Sequence, residues 1–171
     1  MRRLFASVVL SLALLFSQSC VPYQQPVKKT QLEIRAFQTR EYQQKDTKSV
    51  MKAVLDVLQD DGFIVKNAVT ELGLLTAQKD IDIERSGDRF FSFSMMGAGN
   101  NIPRWKKNAL VEASINVSEF GDVTRVRANF QRKEMDNMGG VMAVYPVEDE
   151  NFYQDFFAKV DKGLFIQREH L

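Results

Sequence analysis

Few side chains in this sequence could carry out catalysis or bind a metal. The 171 residues contain a single cysteine, Cys20, and a single histidine, His170, which is next to last in the chain. A nucleophilic serine or cysteine needs a base beside it, and a zinc site needs several sulfur or nitrogen ligands. One histidine near the C-terminus supplies neither arrangement. The sequence therefore predicts no catalytic residue, no metal site and no cofactor.

Two further patterns are compatible with ligand binding, but an ordinary structural interpretation is favoured for each. Residues 95–100 (MMGAGN) contain two glycines, yet they lack the third glycine and the strand-then-helix context of a nucleotide loop. Asp80, Asp82 and Glu84 alternate and would share one strand face, which could collect Ca²⁺ but more simply forms a polar surface. Carboxylates that are distant in sequence can still pair for acid–base catalysis, so an enzyme remains one of the functional hypotheses for this protein.

The N-terminal 19 residues predict a signal peptide. Two arginines precede an apolar stretch at residues 4–16, which is shorter than the roughly 20 residues of a membrane-spanning helix. The small residues Ser17 and Ser19 place the expected cleavage just before Cys20. A lone exported cysteine has no partner for an intramolecular disulfide. Its position at a new N-terminus predicts a lipid attachment site.

The end of this segment resembles the lipobox of bacterial lipoproteins. Residues 17–20 are Ser-Gln-Ser-Cys, which departs from the usual pattern at Ser17, where leucine is expected, and at Gln18, where a smaller residue is expected. The resemblance implies diacylglycerol on the Cys20 sulfur and a further acyl chain, such as palmitate, on its amino group, which together anchor a protein durably in the lipid bilayer. Val21, in place of the aspartate that retains lipoproteins in the inner membrane, implies the outer membrane with the domain facing the periplasm. A secreted protein with a free Cys20 thiol is the alternative.

Composition excludes several other classes. Apolar residues make up 44% and charged residues 26% of the chain, which is typical of a globular domain. Two of the 23 basic residues fall in the signal peptide, so the remainder is close to neutral against 22 acidic residues. No basic field is left to favour nucleic acid. We expect a lipidated N-terminus and proline-containing tether at residues 20–30, and a single periplasmic domain at residues 31–171.

Apolar periodicity predicts the elements of that domain. The predicted elements are a strand in the first half of residues 31–43 that breaks near Phe37, a helix that begins at Asp46 or Thr47 and ends at Gly62, strands at 63–69 and 74–83, a hairpin of 111–117 and 124–130, and a helix around 152–164 that kinks or stops at Gly163. Single-faced strands and amphipathic helices must bury against one another. The predicted fold is therefore α+β, with two layers in which an antiparallel sheet packs on helices in the order β-α-β-β-insert-β-β-α.

This order resembles the helix-grip domains of the lipoprotein C subunit of the outer-membrane barrel assembly machine. Residues 37–43 (FQTREYQ), 57–82 and 152–167 also resemble an uncharacterised family of bacterial lipoproteins. The second likeness covers most of the chain from Leu32 to Gln167. It implies the fold and the localisation, but it brings no activity and no catalytic residues.

The insert at residues 85–108 is the least ordinary stretch. It combines glycine and asparagine with basic residues around the only tryptophan and with a cluster of large apolar side chains, namely Phe90, Phe91, Phe93, Met95, Met96, Ile102 and Trp105. Aromatic residues and methionine are enriched in interface cores, so these residues predict a contact surface if the segment is exposed. In the competing interpretation, Phe91 and Phe93 belong to a further core strand and residues 97–103 form a plain loop.

The leading functional hypothesis is a non-enzymatic, membrane-anchored lipoprotein that serves protein interaction or envelope assembly through an envelope protein partner. The alternative is a periplasmic carrier in which the sheet and the long helix enclose a cavity for a lipid or another apolar ligand.

Overall fold

One antiparallel sheet of six strands organises the domain. A computed structural model describes residues 29–43, 46–83 and 104–169. The elements in chain order are α1 (Gln31–Phe37), β1 (Thr39–Tyr42), α2 (Thr47–Asp60), β2 (Ile64–Val69), a 3-10 turn (Thr70–Leu72), β3 (Leu74–Asp82), β4 (Lys106–Phe120), β5 (Val123–Asp136), β6 (Val141–Pro146) and α3 (Glu150–Glu169). The predicted α+β class, with an antiparallel sheet packed on helices, is confirmed. Likeness to the helix-grip fold stays a prediction.

The long β4–β5 hairpin is the centre of the sheet. Its strands pair from Phe120 and Val123 at the tight turn to Lys106 and Asp136 at the other end. Strands β3 and then β2 follow on the β4 side, so the sheet order is β1-β5-β4-β3-β2 with β6 also paired to β5. The predicted hairpin is confirmed and is longer at both ends than the alternation alone indicated.

Strands β1 and β6 share one edge of β5. Strand β1 pairs with residues 124–127 of β5, and β6 pairs with residues 131–135. The two short strands therefore lie end to end and leave a gap opposite residues 128–130. Backbone hydrogen bonds close both sides of the gap: Ala128 N donates to Gln38 O at 2.9 Å, and Val147 N donates to Phe130 O at 2.9 Å.

A side chain from α3 fills the centre of this gap. The hydroxyl oxygen of Tyr153 accepts hydrogen bonds from Phe130 N and from Gln38 Nε2, each at 3.2 Å. Tyr153 is fully buried, and burial raises the pKa of its hydroxyl. An exposed sheet edge would leave the Phe130 amide to water, so Tyr153 takes the place of a missing strand residue.

Helices α2 and α3 cover one face of the sheet. The side chain of Asp46 accepts a hydrogen bond from Lys48 N at 3.1 Å and begins α2, as predicted. Gly62, with φ of 81°, follows its end in the left-handed conformation that the sequence indicated. The core residues of the two helices are Val50, Met51, Ala53, Val54, Val57 and Leu58 of α2, and Tyr153, Phe156, Phe157, Val160 and Leu164 of α3.

The strand predicted in the first half of residues 31–43 is wrong: this stretch forms α1, and strand pairing begins only at Thr39. Thr30 and Glu33 form a capping box in which Glu33 N donates to Thr30 Oγ1 at 3.3 Å and Thr30 N donates to Glu33 Oε2 at 2.6 Å. Ile34 is buried, whereas Leu32 is 78% exposed. The alternating apolar residues therefore do not share a face, because local capping bonds favour a helical turn.

Two further expectations need correction. Strand β6 was not predicted, so the predicted element order lacks both α1 and β6. Helix α3 does not stop at Gly163 but continues to Glu169. A Cβ atom at Gly163 would lie 3.7 Å from the Cβ atom of Ala53, so the glycine marks the close approach of α3 to α2. Among the helices that the structure describes, none is both long and apolar enough to cross a membrane.

Candidate functional site

Of the residues predicted to act, the structure describes Trp105. The predicted signal peptide, Cys20, Phe90, Phe91, Phe93, Met95 and Met96 lie outside the described residues. Trp105 is half-buried. Its backbone N donates to Asn137 Oδ1 at 3.2 Å, and its backbone O accepts from Asn137 N at 3.1 Å. The chain therefore returns from the insert directly against the turn between β5 and β6.

This turn lies at the end of the sheet that is farthest from the main cluster of core residues. That cluster reaches Val111 on β4 and Phe130 on β5, and Ala109 of β4 is buried apart from it. We call the continuation of the sheet beyond these residues, formed by residues 104–110 and 131–146, the distal arm. Trp105 lies within it.

Asp136 organises the turn of the distal arm. Its Oδ1 accepts hydrogen bonds from Met138 N at 2.9 Å and from Gly140 N at 2.8 Å, and its Oδ2 forms an ion pair with Arg104. Burial acts to raise the pKa of Asp136, but the backbone hydrogen bonds and the Arg104 charge outweigh burial and lower the pKa overall. Asp136 therefore holds the turn and the start of β4 together as a carboxylate.

A second ion-pair group connects the strands of the arm. Lys106 Nζ lies 2.6 Å from Glu134 Oε2, and Arg132 Nη2 lies 3.6 Å from Glu134 Oε1. The hydrogen bond and the charge of Glu134 raise the pKa of Lys106. Because the Glu134 side chain is 12% exposed, solvent screens these pairs less than it screens a fully exposed pair. An ion pair thus connects β4 and β5 within the distal arm.

The outer strand of the arm is apolar and exposed. Strand β6 has the sequence VMAVYP and carries no charge. Five large side chains of this strand and its turn are each about half exposed: Met138, Val141, Met142, Val144 and Tyr145. No described strand pairs with the outer edge of β6. We call this set of side chains, together with the β6 backbone edge, the β6 edge.

The opposite edge of the sheet shows how an edge is normally protected. Strand β2 is also an edge strand, and its pairing with β3 is irregular between Val65 and Asn67, which leaves Lys66 as the extra residue. A charged, bulged residue discourages pairing with another chain. Strand β6 is also irregular, but its extra residue is Met142. The β6 edge therefore lacks the charge that guards β2.

Large side chains pack in the interior between the helices and the sheet. Those that are fully buried include Tyr153, Phe157, Leu58, Leu75 and Ile115. Two of the grooves in the described part of the chain open to solvent. One, of about 500 Å³, lies on the sheet face opposite the helices and is lined by polar residues such as Gln78, Ser114 and Asn129. The other, of about 550 Å³, lies between α1, β1 and α3.

Acidic residues do not assemble a cation site in the described ranges. No three histidine, cysteine, aspartate or glutamate side chains within 29–43, 46–83 and 104–169 come together as metal ligands would. Asp80 and Asp82 pair in the sheet with Leu110 and Asn108, and Glu84 lies outside the described residues. Glu112 instead accepts hydrogen bonds from its neighbours on β5, Gln131 and Lys133.

No protein-family model and no curated protein sequence matches this chain. The likeness to a lipoprotein family therefore stays a prediction, and the argument for function depends on the geometry of the domain.

Proposed function

We propose that this protein is a membrane-anchored bacterial lipoprotein of the outer membrane, whose periplasmic domain binds an envelope protein and catalyses no reaction. The observation that carries the proposal is the β6 edge. An uncharged strand with half-exposed apolar side chains, and with a backbone edge with which no strand of the described ranges pairs, has the features of a site for strand addition. The partner that fits it is a protein with an extended, apolar segment, which would add a strand beside β6.

The polar contacts of the distal arm support this proposal. Strand addition is favoured when the receiving edge is already rigid, because less conformational freedom is lost on binding. Asp136 and Glu134 hold the arm through contacts to Arg104 and Lys106. These contacts hold β4 and β5 of the arm together and so support β6, which pairs with β5.

The place where the tether joins the domain also supports the proposal. Lys29 Nζ donates to Glu148 O at 3.3 Å and lies 3.8 Å from Glu150 Oε2. Glu148 follows the end of β6 at Pro146 closely in the chain. Residues 21–28 span at most about 30 Å. A lipid on Cys20 would therefore keep the β6 edge near the membrane surface, where segments of other envelope proteins emerge.

The anchor is tested by metabolic labelling with radioactive palmitate. We expect label in the full chain, none in Cys20→Ala, and recovery of the wild-type protein with outer-membrane fractions. Label that persists in Cys20→Ala would refute the lipid assignment. Recovery with the inner membrane would refute the localisation.

The contact surface is tested with a photo-crosslinking amino acid at Met142, with Lys66 as the matched control because both are extra residues on edge strands. We expect a discrete crosslinked envelope protein from position 142 and none from position 66. Val144→Lys should abolish the product, whereas Asn67→Lys on β2 should not. A product that survives Val144→Lys, or that forms equally from both positions, would contradict the proposal.

A further inference from the structure

The two faces of β6 differ in charge, and the difference indicates which kind of strand fits the β6 edge. Residues that are directly opposed in an antiparallel pair point to the same face of the sheet. Tyr145 is opposed to Arg132, which lies two residues beyond the core residue Phe130. Tyr145 therefore lies on the face that the helices cover farther along the sheet. Val144 is opposed to Lys133 and lies on the other face.

The charges beside Val144 are balanced. Lys133 Nζ lies 2.8 Å from Glu112 Oε1, and the other oxygen of this carboxylate accepts a hydrogen bond from Gln131. The hydrogen bond from Lys133 lowers the pKa of Glu112. A strand added at β6 would meet on this face the exposed side chains of Val144 and Pro146 and a lysine that is already paired.

The face that carries Tyr145 has more cations than anions. The side chains that form ion pairs there are two carboxylates and three cations, namely Glu134 and Asp136 against Arg104, Lys106 and Arg132. Arg104 pairs with Asp136, and Lys106 Nζ lies 2.6 Å from Glu134 Oε2. Arg132 has a longer contact, 3.6 Å from its Nη2 to Glu134 Oε1. The Nε atom of Arg132 is buried and has no hydrogen-bond partner within the described ranges.

Arg132 is thus the surplus cation beside β6. We propose that the partner segment alternates apolar and acidic residues, and that one of its carboxylates lies opposite Tyr145 and binds Arg132. Neighbouring strands lie about 4.8 Å apart, so the added residue is two strand spacings from Arg132. The Arg132 side chain is 42% exposed, so its guanidinium can meet a glutamate beside the Tyr145 ring. The apolar residues of the segment would pack beside Val144 and Pro146.

This inference rests on the proposed function, because it names the chemistry of the partner at the same edge. The backbone of β6 is oriented for such an addition. Val147 N donates to Phe130 O at 2.9 Å, and successive amide groups along a strand point to opposite sides. The amide of Val144 therefore points away from β5. Val144→Pro removes this outward donor and leaves the hydrogen bonds between β5 and β6 in place.

The test is fluorescence anisotropy of labelled heptapeptides with the purified full chain. The three peptides are VEVEVEV, its basic counterpart VKVKVKV, and VVVEEEV, which has the composition of the first without its alternation. We expect the acidic alternating peptide to bind at least about tenfold more tightly than the basic one, since it gains a charge-assisted hydrogen bond. The third peptide should also bind at least about tenfold more weakly, because it cannot separate apolar and acidic side chains on two faces.

Two matched variants locate the preference. Arg132→Gln should bring the acidic and basic alternating peptides to similar affinity. Arg127→Gln removes an exposed arginine of the same strand that is opposed to Thr39 of β1 instead of to β6, and it should leave the preference unchanged. Val144→Pro should abolish binding of both alternating peptides.

The outcomes separate this inference from the proposed function. Equal binding of the two alternating peptides, or a preference that survives Arg132→Gln, would overturn the acidic partner and leave β6 as a site for strand addition. Equal binding of VEVEVEV and VVVEEEV would overturn it as well, because charge alone would then explain the binding. Absence of binding by both alternating peptides, or full binding to Val144→Pro, would overturn strand addition at β6 and the proposed function with it.

Discussion

Removal of the Tyr153 hydroxyl tests how the domain closes the edge of its sheet. Tyr153→Phe keeps the aromatic ring, whose centroid lies 5.2 Å from that of Phe37 and 5.7 Å from those of Phe130 and Phe152. It deletes the oxygen that accepts from both Phe130 N and Gln38 Nε2. The substitution thus separates hydrogen bonding from packing.

The expected loss follows from the two donors left behind. A buried donor without a partner costs about 1–3 kcal/mol. The Phe130 amide is fixed by the sheet, whereas the side chain of Gln38 is 7% exposed and can partly turn toward water. We therefore expect the free energy of unfolding to fall by about 2–3 kcal/mol. With urea m-values of about 1–3 kcal/mol/M, the urea midpoint should fall by roughly 0.7–3 M.

Urea unfolding followed by circular dichroism measures this loss, with Tyr145→Phe as the control because its hydroxyl lies on a half-exposed residue of β6. The control should change stability by less than about 0.5 kcal/mol. Combining Tyr153→Phe with Gln38→Met should recover part of the loss, since one of the two orphaned donors is then absent. A loss below about 0.5 kcal/mol for Tyr153→Phe would refute the role assigned to the hydroxyl.

Three further outcomes are expected. Gly73→Ala should lower the free energy of unfolding by more than about 3 kcal/mol, because the new Cβ would lie 1.8 Å from Val117 O. Gly121→Ala has a similar φ but no atom within 4 Å of the new Cβ, so it should cost only about 1–2 kcal/mol. Equal losses in urea unfolding would contradict the argument. Asp136→Asn should speed hydrogen exchange of the Met138 and Gly140 amides, which hydrogen-bond to that side chain, and unchanged exchange would show that the carboxylate does not hold the turn. The pKa of Asp136 in the folded state is lowered from 3.8. The stabilisation that the Asp136 carboxylate provides should therefore be complete above about pH 4 and disappear as pH falls through the lower native value. The difference in urea midpoint between wild type and Asp136→Asn should shrink over this range, and a constant difference would contradict the direction of the pKa shift.

The elements that could be predicted from sequence are those whose signals are local and agree with one another. In α2, the Asp46 cap, the apolar stripe and Gly62 all indicate the same helix. In the β4–β5 hairpin, alternation on both strands meets at Gly121 and Asp122. Helix α1 was missed because its short apolar pattern fits a strand as well as a helix, and the Thr30–Glu33 capping box decides between them.

The sequence does contain a local signal for strand β6. Its β-prone run follows the glycine pair at 139–140, and Gly139 adopts φ of 83° in the turn. The sequence does not indicate that this run lies at an edge of the sheet with its apolar side chains exposed, because its position depends on the neighbouring strands.

The candidate sites could be predicted only in part. The contact surface in the insert stays a prediction: of its residues the structure describes Trp105, which is half-buried against the turn between β5 and β6. The Arg104–Asp136 and Lys106–Glu134 ion pairs join residues that are far apart in the chain. Their partners are chosen by sheet register, so no spacing rule in the sequence indicates them.

The position of Tyr153 in the gap of the β5 edge has a consequence for the order of folding. The N-terminal strand β1 and the late strand β6 meet around a hydroxyl from the last helix, so the edge is complete only when nearly the whole chain is present. A chain that emerges from its N-terminus would expose the Phe130 amide and the unclosed edge until α3 is also available. Folding of this domain is therefore expected to be all-or-none and to begin only after the last helix has been synthesised.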